Sequence, residues 1–306
     1  MQRSVFEVVV VTRNSAGDIG ACLRSVCEAG AFPIVVDCAS TDNTLDIVRR
    51  ECPEARVVAS RENLGYGKGM NLGFKETGGD FVILSNPDVV FLGDSIKQMV
   101  SFLRGNPRVG LTGPQQRFPG GGWQRSYGDL PGLWTGIKDA VGMTTVHSAL
   151  RRLVWPRRID RRPKYVPYVD GAVLAVRREA FLKVGGFDED FFLYSEEADL
   201  CERMRKADWG VMFLPDAEVI HVRGASSAKE NRSEQPMRLV VRGQALLAAK
   251  YLPDWKVRAY ARLQIAHFAR LGLTYRVLRR LARQGSSAAQ KIWIFDTYKR
   301  LWTEFL

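Results

Sequence analysis

Asp88 closes the segment Ser85-Asn86-Pro87-Asp88, directly after the apolar run at residues 81–84. A carboxylate at the end of a buried strand, stiffened by a proline, is placed to hold a hard divalent cation such as Mg or Mn. Asn86 offers a neutral oxygen to a metal or a substrate. On its own, a strand-end aspartate is more often a turn residue. A second pair of carboxylates lies in residues 194–200, where Ser195 is suited to an N-cap and puts Glu196 and Glu197 in the first helical turn. Such acids complement the helix dipole. Held rigidly behind Phe191, Phe192 and Tyr194, they also suit a general-base site in which one acid takes a proton and another holds a hydroxyl or an ion. His221 gains interest from Asp88, because imidazole is a good partner for Mn and a poorer one for Mg. The glycine-rich residues 65–71 let backbone amides and Lys68 approach phosphate at a helix start. They lack P-loop spacing, and the first strand-turn-helix lacks G-x-G-x-x-G, which argues against a dinucleotide dehydrogenase.

Positioning these groups requires a scaffold, and the first half of the chain supplies its pattern. Residues 8–11 are a continuous β-branched run, the mark of a strand buried on both faces. Ile19, Cys22, Leu23 and Val26 then recur at helical spacing, with Gly30 as a stop. Strand 34–36, helix 44–50, strand 56–59, helix 68–76, strand 81–84 and helix 95–103 follow. This alternation predicts a doubly wound α/β fold, in which ligands bind beyond the carboxyl ends of the strands. Segments 12–15, 37–44, 61–71 and 85–88 occupy those ends and are rich in polar side chains and glycine. One such segment is an ordinary turn, whereas four in concert point to a ligand site. From 113 to about 167 the periodicity fades into a loop or insert. It returns with strand 172–176, helices 178–184 and 196–206, and strand 211–214, before a helical tail from Met237.

With 46% apolar and 25% charged residues, the 306-residue chain is neither disordered nor collagenous. No run of 18 uncharged apolar residues occurs, and the N-terminus lacks a signal-peptide pattern, so a cytoplasmic location is expected. Five cysteines without a C-x-x-C pair favour reduced thiols over a zinc site or a disulfide framework. The net charge of +12 is unevenly spread: residues 236–306 carry 14 Lys and Arg against three acids. Arg151, Arg152, Arg157, Arg158, Arg161, Arg162 and Lys164 face the single Asp160, and the rest of the chain is mildly acidic at −5.

In order, VVVVTRNS, VVDCASTDNT, ENLGYGKGMNLGF, VILSNPDV, DGAVLAVRREAF, VGGFDEDFFLYSEEADLCERMRKADWG and HVRGAS resemble the inverting glycosyltransferases of family 2, particularly the rhamnosyltransferase-like branch, across residues 8–226. The resemblance implies a GT-A fold, a Rossmann-like nucleotide-binding half and an acceptor-binding half on one central sheet. The expected division is a catalytic domain at 1–235, comprising a nucleotide-sugar half at 1–112, a basic insert or loop at 113–167 and an acceptor half at 168–235, followed by a basic amphipathic helical tail at 236–306. The resemblance implies that Thr12, Asn14 and Asp37 line the nucleotide, with Ser40, Lys68, Asn71 and Asn86 in the same pocket. The family's D-x-D metal motif reads Asn86-Pro87-Asp88 here, leaving Asp88 as the main metal residue with His221 nearby. The E-D-x-D base motif reads Glu196-Glu197-Ala198-Asp199. By register Glu197 is the base, with Glu196 as the substitute and Asp199 orienting the acceptor or the helix.

The implied reaction moves a sugar, first guess rhamnose from dTDP-rhamnose, to a hydroxyl of a glycan or lipid-linked saccharide in polysaccharide synthesis. Its implied cofactor is Mg or Mn. For the basic tail, docking to an anionic membrane surface, through helices that carry Trp255, Trp293, Trp302, Phe268 and Tyr275, stands beside an ordinary packed helical subdomain. A non-catalytic carbohydrate-binding homologue is the alternative for the whole chain. A nucleic-acid-binding protein is a remote one, as no recognised motif accompanies the charge.

Overall fold

In the computed structural model, which describes residues 6–143, 162–222, 233–282 and 286–306, the alternation in the first half becomes parallel strands with helices on both faces. Arg151, Arg152, Arg157, Arg158 and Arg161 of the basic insert, and residues 223–226 of the last motif, lie outside the described residues. Contacts divide the chain into unit 1, Met1–Asp129 with Arg157–Asn231, and unit 2, Leu130–Pro156 with Arg232–Leu306.

Unit 1 begins β1 (Phe6–Thr12), α1 (Ile19–Glu28), β2 (Ala31–Cys38), α2 (Thr44–Glu51), β3 (Arg56–Ser60), α3 (Tyr66–Lys75) and β4 (Phe81–Ser85). It continues with β5 (Val89–Phe91), α4 (Ser95–Gly105), β6 (Val109–Arg117) and β7 (Tyr127–Gly128). After α5 (Leu133–Ala140), which belongs to unit 2, come β8 (Lys164–Tyr165), β9 (Tyr168–Val169), β10 (Val173–Arg177), α6 (Arg178–Lys183), α7 (Glu196–Lys206) and β11 (Gly210–His221). The main sheet runs β3-β2-β1-β4-β10-β6-β11-β5, with β8 added to β11. Strands β1 to β4 are mutually parallel, and β10 enters antiparallel between β4 and β6.

The β-branched run of β1 serves both faces of the sheet. Val8 and Val10 pack with Leu23, Val48, Ile83 and Met99, whereas Val9 and Val11 pack with Met70, Phe74, Phe181 and Leu200. The glycines of α3 have a packing cause. A Cβ at Gly73 would lie 2.3 Å from Val9, and one at Gly69 would lie 2.9 Å from Val11, so the helix backbone rests directly on β1. Gly65, at φ +73, meets the Phe192 carbonyl, to which Tyr66 N–H donates.

Strand β6 runs through residues where the apolar pattern fades. Its buried glutamines hide it: Gln115 Nε2 donates to the Gln116 and Gln124 carbonyls and to Ser126 Oγ, so polar side chains are satisfied inside the sheet. The thiols of the described structure are free, and burial pushes those of Cys22 and Cys201 up to about 12.

Unit 2 contains α5, α8 (Gln235–Tyr251), α9 (Asp254–Ala282) and α10 (Ser286–Thr303). Met237, Val241, Tyr260, Leu301 and Trp302 form its core. Trp302 is 1% exposed and edge-on to Tyr260, and Phe268 stacks on Tyr298 at 4.7 Å. Those two aromatics, read from sequence as interfacial, are therefore spent on internal packing, whereas Trp255 remains exposed. Among the described residues no helix is long and apolar enough to cross a membrane.

Candidate active site

The parallel strands deliver the first polar cluster. Thr12 and Asp37 are register partners at the carboxyl ends of β1 and β2. Both are buried, and Thr12 Oγ1 and Asp37 Oδ1 have no hydrogen-bond partner among the described residues. Buried oxygens at a strand end call for donors from a ligand. The other Asp37 oxygen accepts from Ser40 N–H at 3.1 Å, and Ser40 Oγ accepts from Asn14 N–H at 2.9 Å. Asn14 Oδ1 in turn accepts from Thr41 N–H at 2.7 Å. Asn14 and Ala39 are held at positive φ, a strained conformation for non-glycine residues that recurs at ligand sites. Asn14, Asp37 and Ser40 are thus one network, with Thr12 beside Asp37 on the neighbouring strand. Lys68 is exposed on α3. Asn71 is engaged elsewhere: its amide donates to the Phe187 carbonyl and accepts from Phe187 N–H, tying α3 to the segment ahead of α7.

Asp88 and His221 meet at the other end of the site. Pairing of β5 with β11 puts Val89 opposite His221, and Val222 N–H donates to the Asp88 carbonyl. His221 Nε2 lies 3.5 Å from Asp88 Oδ1, a buried oxygen with no hydrogen-bond partner among the described residues. On the other side of the ring, Nδ1 is 2.9 Å from Gln116 Oε1. With the proton on Nδ1, donated to Gln116, the Nε2 lone pair and the Asp88 carboxylate face each other as two acceptors. That arrangement fits a divalent cation bound by one oxygen and one imidazole nitrogen. Asn86 is anchored alongside through its backbone, with N–H donating to the Ala172 carbonyl at 2.9 Å.

The paired acids at the start of α7 have distinct environments. Ser195 does not act as a side-chain N-cap; it and Tyr194 sit at φ +74 and +72, two consecutive left-handed residues that swing the chain into the helix. Glu196 is buried and Glu197 only partly so. Burial, then the charge of Glu197, pushes Glu196 well above the usual carboxylate range. Burial, followed by the Asp170 charge, raises Glu197 to about 7, against the pull of the backbone amides of Glu197, Ser195 and Ala198. Asp199 is fully buried and accepts from Arg203 Nε at 2.7 Å, while Arg203 Nη1 donates to the Val184 and Gly186 carbonyls. It orients the helix.

Asp170 and Gln116 were not singled out by sequence reasoning. Asp170 precedes β10 just as Asp88 follows β4, and those strands pair, so a strand-edge acid inside the motif DGAVLAV was the available signal. A Cβ at Gly171 would lie 3.2 Å from Glu197, so the backbone beside Asp170 packs against the Glu197 side chain. Tyr66 joins this region, donating to the Gly171 carbonyl at 2.6 Å. Burial raises its phenol well above 10, followed by the charges of Glu196, Glu197, Asp170 and Asp88. Tyr66 thus lies within the field of all four acids.

The glycosyl transferase family 2 model matches residues 7–185. This chain belongs to that family. It is 33% identical over 244 residues to the N-acetylglucosaminyl-diphospho-decaprenol L-rhamnosyltransferase of Mycobacterium tuberculosis, covering 75% of this chain and 80% of that protein. Its fold is similar to that of the mannosyltransferase PcManGT from Pyrobaculum calidifontis in complex with GDP-Man and Mn2+, with a TM-score of 0.56, 20% identity, and coverage of 98% of this chain and 84% of that one. It also resembles GalNAc-T7 with UDP, GalNAc and Mn2+, with a TM-score of 0.61, 14% identity, and coverage of 98% and 56%. The mixed sheet described above is the GT-A fold expected from the sequence.

With Glu197 as the proton acceptor, its raised pKa would have a direct kinetic consequence. A proton acceptor must be ionised, so kcat/KM should rise with pH through a limb near 7. Removing the neighbouring charge in Asp170→Asn should move that limb to lower pH, as measured by a pH–rate profile of both proteins. The stability consequence has the opposite sense. A carboxyl raised from 4.5 to about 7 on folding contributes stability that is full below 4.5 and lost as pH rises through 7.

Proposed function

We propose that this glycosyltransferase transfers rhamnose from dTDP-rhamnose, with inversion, to a hydroxyl of a saccharide carried on a lipid diphosphate, in the synthesis of a cell-surface polysaccharide. The observation that carries the reaction type is the partly exposed Glu197 carboxylate, held near neutrality in its proton affinity on the same sheet edge as the Asp88–His221 pair. The mycobacterial relative's name supports the donor sugar and the lipid-linked acceptor. An intact candidate base and an intact cation pair favour an enzyme over a sugar-binding homologue.

In this reading Thr12 Oγ1 and Asp37 Oδ1 accept hydrogen bonds from the nucleoside, and the Asn14–Ser40 network fixes their loops. Lys68 approaches the donor's phosphates. Asp88 and His221 hold a Mg or Mn ion, which when bound offsets charge on the leaving diphosphate. Glu197 removes the acceptor's hydroxyl proton as that oxygen attacks the anomeric carbon opposite the diphosphate. Burial and the neighbouring Glu197 charge disfavour ionisation of Glu196, and it is closed off from an acceptor, which supports Glu197 as the base. Asp170 keeps the proton affinity of Glu197 high, and Asp199 holds α7 through Arg203. The lipid-linked acceptor locates the reaction on the cytoplasmic face of a membrane.

The test is a panel of nucleotide diphosphate sugars offered with an N-acetylglucosaminyl-diphospho-lipid acceptor. dTDP-rhamnose should give product and release dTDP. Transfer from another sugar nucleotide alone would move the donor assignment, and binding without turnover across the panel would favour the non-catalytic alternative.

A further inference from the structure

Helix α5 has two faces of opposite character. Its inner face packs on α9: a Cβ at Gly136 would lie 3.0 Å from Leu263, and Arg270 Nε donates to the Ala140 carbonyl at 3.0 Å. His267 Nδ1 lies 2.6 Å from the Asp139 carbonyl, so two basic side chains of α9 secure the C-terminal end of α5. The outer face presents Trp134, Ile137 and Val141 at i, i+3 and i+7, followed by Met143. Trp134 and Val141 are 64% and 63% exposed. Lys138 reaches over the Trp134 ring, its Nζ 5.9 Å from the centroid. An outward row of Trp, Ile, Val and Met on a short helix is not an ordinary solvated face.

Charge identifies what covers it. By sequence, unit 2 holds 18 Lys and Arg against five Asp and Glu, a net of +13, which exceeds the +12 of the whole chain. The solvent side of α9 adds Trp255, Arg258, Arg262, Leu273 and Arg280, all exposed and at helical spacing, with no acid among them. Two copies of so basic a unit repel one another. A nucleic acid would satisfy the arginines but give Ile137, Val141 and Met143 no partner. An anionic bilayer satisfies both, taking aliphatic groups below the headgroups, Trp at the interface and basic side chains against lipid phosphates.

We propose that the outer face of α5 is a membrane-insertion face that seats unit 2 on an anionic lipid surface. This explains how an enzyme without a spanning helix among its described residues works on a lipid-carried acceptor. It rests on the proposed function only for that purpose; the binding itself is independent of the donor.

The experiment uses the full chain with vesicles of phosphatidylcholine alone or mixed with phosphatidylglycerol, at low and high salt. The wild-type protein should sediment with the anionic vesicles and keep a salt-resistant remainder, from the apolar face. The double variant Trp134→Asp/Ile137→Asp should bind at least about tenfold more weakly and lose that remainder, with donor hydrolysis and transfer to a water-soluble acceptor unchanged. Brominated lipid should quench tryptophan fluorescence in the wild type, and Trp134→Phe should remove a component of that quenching. Equal vesicle binding by wild type and double variant, no vesicle binding at all, or quenching unaltered in Trp134→Phe would each overturn the proposal. So would a wild-type dimer, by light scattering, that the double variant abolishes. Vesicle binding lost in the double variant, in a protein that transfers no rhamnose, would sustain this proposal while refuting the donor assignment.

Discussion

Glu197→Gln should lower the rate of sugar transfer by about 10²–10⁴-fold, the usual contribution of a positioned general base, with the affinity for nucleotide sugar unchanged. The amide keeps the shape of the side chain and removes only its ability to take a proton. Glu197 is partly exposed, whereas Glu196 is buried, and burial with the charge of Glu197 disfavours its ionised form. The same substitution at Glu196 should therefore cost far less turnover, because an acceptor reaches Glu197 and not the buried Glu196. Steady-state rates with a saturating acceptor, together with donor binding by calorimetry, separate the two acids. A Glu197→Gln protein with wild-type turnover would move the base elsewhere.

Asp88→Ala should weaken donor binding in Mg or Mn on the order of 100-fold, the scale on which metal-site changes act, and leave a donor affinity that chelator no longer alters. Asp88 Oδ1 is buried without a hydrogen-bond partner among the described residues, and His221 Nε2 lies 3.5 Å from it. An arrangement that leaves two acceptors opposed gains from a cation and loses from its removal. Gln116→Ala should reduce the same cation dependence in part, because Gln116 Oε1 lies 2.9 Å from His221 Nδ1 and fixes its tautomer. Titration of donor with and without chelator is the measurement. Identical affinities in the wild-type protein would count against the cation pair.

The outline of the fold was legible where burial demands an unmistakable pattern. Val8 to Val11 are needed on both faces of the sheet, so the centre of β1 is continuously apolar, and the strand ends that follow carry the polar clusters. Strand β6 was not legible because Gln115, Gln116 and Thr112 are buried polar residues; Gln115 is held by the Gln124 carbonyl and Ser126, and Gln116 Oε1 faces His221, far off in sequence. Gly69 suggested a phosphate cradle, yet its immediate cause is contact with Val11, as that of Gly73 is contact with Val9. Ser195 had the right residue type for a cap but the wrong φ, which only the turn through Tyr194 determines. In the site, Asp37 and Asp88 stood out as strand-end acids. Asp170 left one trace, an acid just ahead of the apolar run of β10, whereas Gln116 meets His221 only because β6 pairs with β11, a neighbour far off in sequence.

The central claim is a single displacement in which Glu197 deprotonates the acceptor while the nucleoside diphosphate leaves from the opposite face. The anomeric configuration of the product, read by nuclear magnetic resonance from the one-bond carbon–hydrogen coupling of the transferred sugar, tests it most directly. The account predicts a configuration opposite to that of the donor. Retention would require a second displacement and would contradict it.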